Sequence, residues 1–272
     1  MQQVSDNVYV ETWMQGCNPG FITTADGIVM IDTPMMPSDA IKWRDLIQEK
    51  GDVRYVINTE PHADHIVGNG FFPGTVIAHQ GTREALSTVT EADIIERAKA
   101  MDPEGLPLME GYRLKRPTIT FTEKLNLYLG DHTFELIHLP GHTPSETAVY
   151  IPEERVVFTG DNVFYKLQTW FHEADPWGWL ESLKRLQGLD VDVIVPGHGE
   201  VCDKGYLKEQ AAFIEEWMEA VRKAIDQGLS KEQAQAQISF LDRYPMGQGM
   251  EAMGPMVQQM NVARLYDLLT AK

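Results

Sequence analysis

The sequence predicts an α/β protein in which two sheets are buried between outer helices, with a helical extension at the C-terminal end. Three observations carry that prediction. Strands and helices follow one another in two successive rounds up to about residue 205, an order that suits a layered α/β core. From Tyr206 onward, apolar residues recur at helical spacing. The chain has 272 residues, 43% of them hydrophobic, which is enough to build one large core. On this reading residues 1–205 form the main domain, and residues 206–272 a helical extension packed on it.

The elements follow in order. Residues 7–11 alternate and are rich in Val and Tyr. Residues 20–24 and 27–32 flank Ala25-Asp26-Gly27, where Asp-Gly marks a hairpin. Pro37-Ser38-Asp39 opens a helix with Ser38 as the expected N-cap, ending at Gly51. Residues 54–58 and 75–79 read as short strands, and 82–100 as one fairly polar helix. Residues 102–117, with three prolines and two glycines, read as a loop. Residues 118–129 and 133–139 read as strands joined by Gly130-Asp131-His132. A hairpin turns at Pro152-Glu153-Glu154. Asp175-Pro176 opens a helix with an N-cap Asp and an N1 Pro, and 191–195 is the last strand. Beyond it, Ser230 and Gln233 fit a capping box, and 255–269 is a final helix.

The bulk properties exclude several classes. The formal net charge of −17 disfavours nucleic-acid binding. The densest basic stretch, Arg113-Leu114-Lys115-Arg116, reads as a solvated edge. No apolar run approaches the ~20 residues that span a bilayer, and the first residues lack a basic flank and an apolar core. The two cysteines, Cys17 and Cys202, have no metal-type spacing. A cytoplasmic protein with two reduced thiols, no nucleic-acid partner and no membrane association is expected.

The chemistry concentrates in Glu60-Pro61-His62-Ala63-Asp64-His65, directly after a short apolar strand. Two imidazoles and two carboxylates in six positions are good ligands for zinc, manganese or iron. Along an extended chain Glu60, His62 and Asp64 share one face, and His65 turns towards a second ion. Three later segments repeat one theme, a strand end followed by glycine and a ligand-type side chain. They are Leu139-Pro140-Gly141-His142, Phe158-Thr159-Gly160-Asp161 and Val195-Pro196-Gly197-His198. Glycine lets the backbone turn tightly near a bound ion.

In these motifs and their order the sequence resembles the metallo-β-lactamase superfamily, over roughly residues 4–205. Members carry His-x-His-x-Asp-His, a His after Pro-Gly, a Gly-Asp and a late Gly-His. The segment from Gly16 to Thr33 also looks like the family's first hairpin, with its structural Asp at Asp32. The resemblance implies a four-layer αβ/βα sandwich and two divalent metal ions. Glu60, His62 and His142 would make the first site, and Asp64, His65 and His198 the second, with Asp161 bridging. It implies hydrolysis by a metal-bridging hydroxide, with Asp64 orienting the nucleophile and returning its proton to the leaving group.

Glu60 departs from the pattern, since it stands where the first histidine of the motif usually sits. Two divalent ions would then face Glu60, Asp64, Asp161 and the hydroxide, a near-neutral core where the usual histidine version keeps one positive charge. A weaker pull on anionic substrates follows, and a harder first site. Zinc remains the first expectation, with manganese or iron gaining weight.

The expected substrate is a small neutral or apolar ester, lactone or amide, with β-lactamase activity at most weak. A non-haem iron oxidoreductase of the persulfide dioxygenase kind is the alternative. Tyr165 is a second catalytic candidate, because similar lactonases hold the substrate oxygen with a tyrosine near the metals. Trp13, Met14, Trp170, Phe171 and His172 are candidate pocket residues. The methionines from Met246 to Met260 suit helix packing, a cap over the site or a homodimer contact.

Overall fold

The computed structural model describes residues 1–271. Seven strands form the first sheet, in sequence order: β1 (Gln2–Gln3), β2 (Val8–Val10), β3 (Gly20–Thr24), β4 (Gly27–Ile31), β5 (Val53–Ile57), β6 (Thr75–His79) and β7 (Ile119–Phe121). Pairing is antiparallel from β1 to β4 and parallel from β4 to β7. The second sheet has the order β12-β11-β10-β9-β8, from β8 (Lys124–Leu129), β9 (His132–His138), β10 (Thr147–Ile151), β11 (Val156–Phe158) and β12 (Val193–Val195). Only its β11–β12 pair is parallel. The helices are α1 (Pro37–Gln48), α2 (Ala63–Ile66), α3 (Gln80–Ala85), α4 (Glu91–Met101), α5 (Pro176–Gln187), α6 (Tyr206–Asp226), α7 (Lys231–Gln237) and α8 (Gly254–Thr270).

Alternation along the strands builds the layers, because successive side chains point to opposite faces. In β4, Val29 and Ile31 meet Phe134, Leu136 and Val149 of the second sheet, while Ile28 and Met30 face Trp43 and Ile47 of α1. In β10 and β11, Val149 and Val156 face inward, and Ala148 and Val157 pack under α5, α6 and α8 with Trp179, Phe213 and Val262. Both faces of both sheets are therefore covered, which makes the molecule the four-layer αβ/βα sandwich that the sequence predicted. Among the described residues no helix is long and apolar enough to cross a membrane, and Cys17 and Cys202 are both free.

The structure revises three local expectations. The stretch 118–129 is not one strand. β7 pairs with β6 in the first sheet and β8 with β9 in the second, so the chain changes sheets at Thr122-Glu123. Residues 82–100 are two helices, because Thr90 and Asp93 form a capping box that starts α4 afresh. Helix α1 begins at Pro37 with Met36 as N-cap, so Ser38 lies inside its first turn. The Ser38 N–H donates instead to Asp102, 2.9 Å away across the fold. Asp102 also accepts from the Gly105 N–H at 3.0 Å. Asp102→Ala would orphan the Ser38 N–H, while the Gly105 N–H keeps the Asp102 carbonyl at 3.1 Å, and a loss of about 1 kcal/mol in denaturant unfolding is expected. The Asp175 cap and the Ser230–Gln233 capping box are present as read.

Candidate metal centre

All seven residues of the predicted ligand set meet at one edge of the sandwich, just beyond the C-terminal ends of strands. Glu60 follows β5, His142 follows β9, Asp161 follows β11 and His198 follows β12. His62 caps the single turn of α2, which carries Asp64 and His65. The expected extended alternation thus holds only as far as His62. Beyond it the helical turn, and not strand geometry, presents Asp64 and His65 side by side.

Two donor sets result. One is Glu60, His62, His142 and Asp161, and the other is Asp64, His65 and His198. In the first, His62 Nδ1 lies 2.8 Å from Glu60 Oε2 and 3.2 Å from His142 Nε2. In the second, His198 Nε2 is 3.3 Å from Asp64 Oδ2 and 3.2 Å from Asp161 Oδ2. The sets are joined by His65 Nε2, 3.1 Å from Glu60 Oε1 and 3.3 Å from Asp161 Oδ1.

These groups fit a divalent cation. Both oxygens of Glu60, Oδ1 of Asp161 and Nε2 of His65 are buried and make no hydrogen bond, although His65 Nε2 stands 3.1 Å from Glu60 Oε1 and 3.3 Å from Asp161 Oδ1. Buried polar atoms so left would be costly unless a cation satisfied them. Among the protein groups alone, burial first and then Asp161 push the Glu60 carboxyl well above its ordinary range. Burial also opposes ionisation of Asp161, yet His198 and His65 hold it well below the usual carboxylate range. Burial, reinforced by His62 and His172, lowers His142 to about 3, which keeps it as the neutral imidazole that binds metals. His198 is raised to about 10 because the Asp161 and Asp64 carboxylates outweigh its burial.

Backbone and side-chain partners aim the imidazoles. Asp32 Oδ2 lies 2.9 Å from His65 Nδ1, and the Asp32 carboxylate is itself held by the Thr59 hydroxyl and amide, at 2.7 and 2.8 Å. Asp32 holds this post with a left-handed backbone, φ 53°. His142 Nδ1 donates to the Trp170 carbonyl, 2.8 Å away. Such partners fix the tautomer and direction of a ligand ring. Glu146, which the sequence reading missed, is a fully buried carboxyl. Its Oε1 accepts from the Asp161 N–H at 3.0 Å and its Oε2 from the Thr143 hydroxyl at 3.2 Å. No spacing signal marks it; it belongs to the site only through the loop that also bears His142. Glycine is required beside it. A Cβ on Gly160 would stand 2.1 Å from Glu146 Oε1, and one on Gly197 1.9 Å from Asp161 Oδ1.

Above the cluster opens a cavity of about 760 Å³. Trp13, Met14, Trp170 and His172 line it, as the sequence suggested. Two other candidates do not. Phe171 is fully buried in the core against Trp179 and Trp217, with ring centroids 5.5 and 5.9 Å away. Tyr165 turns from the cavity onto Tyr206, 4.6 Å between centroids. The chain turns at Tyr165-Lys166, and Phe164 takes the inward place and stacks on His198 at 5.2 Å. Ile94, Arg97 and Met101 of α4, which were not foreseen, complete the wall together with Met250 and Met253 of the methionine-rich segment, for which a cap over the site was one of the expectations. The regular helical period of Ile94, Arg97 and Met101 was the available signal.

Two facing sheets, outer helices and a paired donor cluster at their common edge define a protein built to hold divalent metal. A profile of the metallo-beta-lactamase superfamily matches residues 13–198, and the chain belongs to that superfamily. It is 30% identical over 184 residues to the 2,4-dinitroanisole O-demethylase subunit alpha of a Nocardioides species, covering 63% of this chain and 49% of that one. It is 26% identical over 163 residues to a linear primary-alkylsulfatase of a Pseudomonas species, covering 56% and 29%. The chain thus spans half or less of the length of these two relatives. A metallo-beta-lactamase family protein from Thermus thermophilus superposes with a TM-score of 0.72 at 18% identity, over 99% of this chain and 95% of that one.

Proposed function

We propose that the chain is a dinuclear metal-dependent hydrolase of small, neutral or apolar substrates. The observation that carries this reading is the convergence of two donor sets on Asp161 at the floor of a largely apolar cavity. Glu60, His62 and His142 would hold one ion and Asp64, His65 and His198 the other, with Asp161 between them. Two bound divalent ions would supply Lewis acidity and lower the pKa of water towards neutrality. Asp64 reaches the cavity wall from beside His198, where it can orient water and return a proton to the leaving group. Met14, Ile94, Met101, Trp170 and Met250 give the substrate apolar contact and exclude water.

The substrate class follows from wall and floor together. The near-neutral core expected with Glu60 does not concentrate anions, and the apolar wall favours esters, lactones or amides with an apolar body. The O-demethylase name widens the range of leaving groups to aryl ethers, and the alkylsulfatase name makes an anionic sulfate ester the contrasting probe, so both belong in the same screen. Weak β-lactamase activity is compatible with it. Zinc suits both sites, and manganese or iron suits the carboxylate-bearing first site.

Elemental analysis of the purified protein, paired with that screen, tests the proposal. About two zinc or manganese ions per chain with turnover of one class is the expected result. Glu60→His should retain or raise hydrolysis while altering metal content. Kinetics and metal content both unchanged would mean that Glu60 is no ligand.

A second reading has one observation in its favour. Within the first donor set, which also holds Asp161, His62, His142 and Glu60 include the two imidazoles and one carboxylate that non-haem iron oxygenases use. One iron per chain, with oxygen consumed in the presence of thiols, would select it over hydrolysis.

A further inference from the structure

His62 has two ring nitrogens, and the structure gives each a different neighbourhood. Nδ1 faces Glu60 and His142 in the first donor set. A neutral imidazole that offers Nδ1 as a ligand carries its proton on Nε2, and that N–H needs an acceptor. His172 Nε2 stands 3.2 Å away. Glu173 Oε2, at 3.9 Å, is beyond hydrogen-bond reach. The His172 ring also stacks on His62, centroids 4.9 Å apart and planes inclined by 29°. To accept at Nε2, neutral His172 must keep its own proton on Nδ1, an atom that is buried without a partner. An unmet buried donor is costly. Packing alone gives no reason to keep it; orienting His62 does.

The segment that carries His172 is pinned from the C-terminal helix. On α8, Asn261 is buried; its side-chain oxygen accepts from the Phe171 N–H at 2.8 Å and its amide donates to the Thr169 carbonyl at 2.7 Å. Arg264, also on α8, donates to the Ala174 carbonyl at 3.0 Å. The same segment supplies the Trp170 carbonyl that holds His142. Both imidazoles of the first donor set are therefore aimed by residues 170–172, whereas His65 of the second set is aimed by Asp32 at the end of β4.

We propose that His172 is a positioning residue that fixes the His62 tautomer, and that α8, through Asn261, holds it in register with the first metal site. This rests on the metal centre proposed above. The consequence is an asymmetry. Damage to the 170–172 segment or its α8 anchor weakens one metal site and spares the other.

The test is zinc titration of the metal-free full-length chain against a chromophoric chelator, with nitrogen-15 correlation spectra of the histidine rings. In the wild type, two zinc ions and a His62 ring protonated at Nε2 are expected. His172→Ala should weaken one of the two zinc affinities by about 10–100-fold and leave the other unchanged, and His62 should become a mixture of tautomers. His172→Gln, whose amide oxygen can accept the same proton, should recover part of the loss. Asn261→Ala should act in the same direction. A His172→Ala chain with both affinities and the His62 tautomer of the wild type overturns the inference. So do alanine and glutamine variants that lose both sites equally along with thermal stability. A wild-type chain that takes up no zinc overturns the metal centre itself, an outcome distinct from either.

Discussion

Replacing Asp64 by alanine is expected to lower kcat by about 10²–10⁴-fold or more, the range associated with loss of a positioned acid–base group. The carboxylate sits between the cluster and the open cavity, with Oδ2 3.3 Å from His198 Nε2 and 3.8 Å from His65 Nε2. Burial opposes its ionisation, but His65 and then His198 outweigh burial and hold its pKa well below the ordinary range. It is therefore an anion at neutral pH, able to orient water by accepting a hydrogen bond from it. On the proposed function, alanine removes a metal donor and this water-orienting group together. Asparagine keeps the volume and removes only the charge, so Asp64→Asn should fall nearly as far if the charge is what matters. Steady-state kinetics on the best substrate, with metal content measured on the same samples, checks both. An Asp64→Ala enzyme that turns over normally with its metal in place would end the proposed mechanism.

The second large effect is on stability. Trp217 lies fully buried in α6, with Phe240, Phe171 and Phe213 at centroid distances of 4.6, 5.9 and 6.4 Å. It joins the C-terminal helices to the core beneath the second sheet, and Phe171 lies next to His172 in the chain. Truncating a buried tryptophan to alanine costs about 3–5 kcal/mol through lost burial and the cavity left behind. At roughly 2–4 °C per kcal/mol for a domain of this size, Tm should drop by about 10 °C. Thermal unfolding of the variant measures it. A change under about 1 kcal/mol, against that expected range, would mean that the helical extension contributes little to the main core.

The ligand motifs were legible because metal chemistry restricts residue type. Only a few side chains bind zinc, manganese or iron, so Glu60, His62, Asp64 and His65 within six positions stand out in any context. The glycines before His142, Asp161 and His198 reinforced the signal, because a side chain at Gly160 or Gly197 would collide with the site itself. Cap residues were legible where they act locally, as at Asp175 and Ser230. Ser38 misled because its backbone amide is satisfied from Asp102, sixty-four residues away. Tyr165 and Phe171 misled for a related reason. An aromatic side chain suits a pocket wall and a core equally well by composition, and the turn that follows Asp161 decides which of two neighbours faces in.

The sequence alone thus determined the layered α/β class, the helical tail and which seven residues of ligand type meet at one edge of the sandwich, because periodicity and ligand chemistry are written in residue type and local spacing. Tertiary structure alone decided the partition of those donors into two sets joined by His65 and Asp161, the change of sheet at Thr122-Glu123 and the burial of Glu146. It alone showed that α8 holds the segment facing His62. Each of these depends on contacts between residues tens to more than a hundred positions apart, and such contacts leave no periodic trace in a single chain.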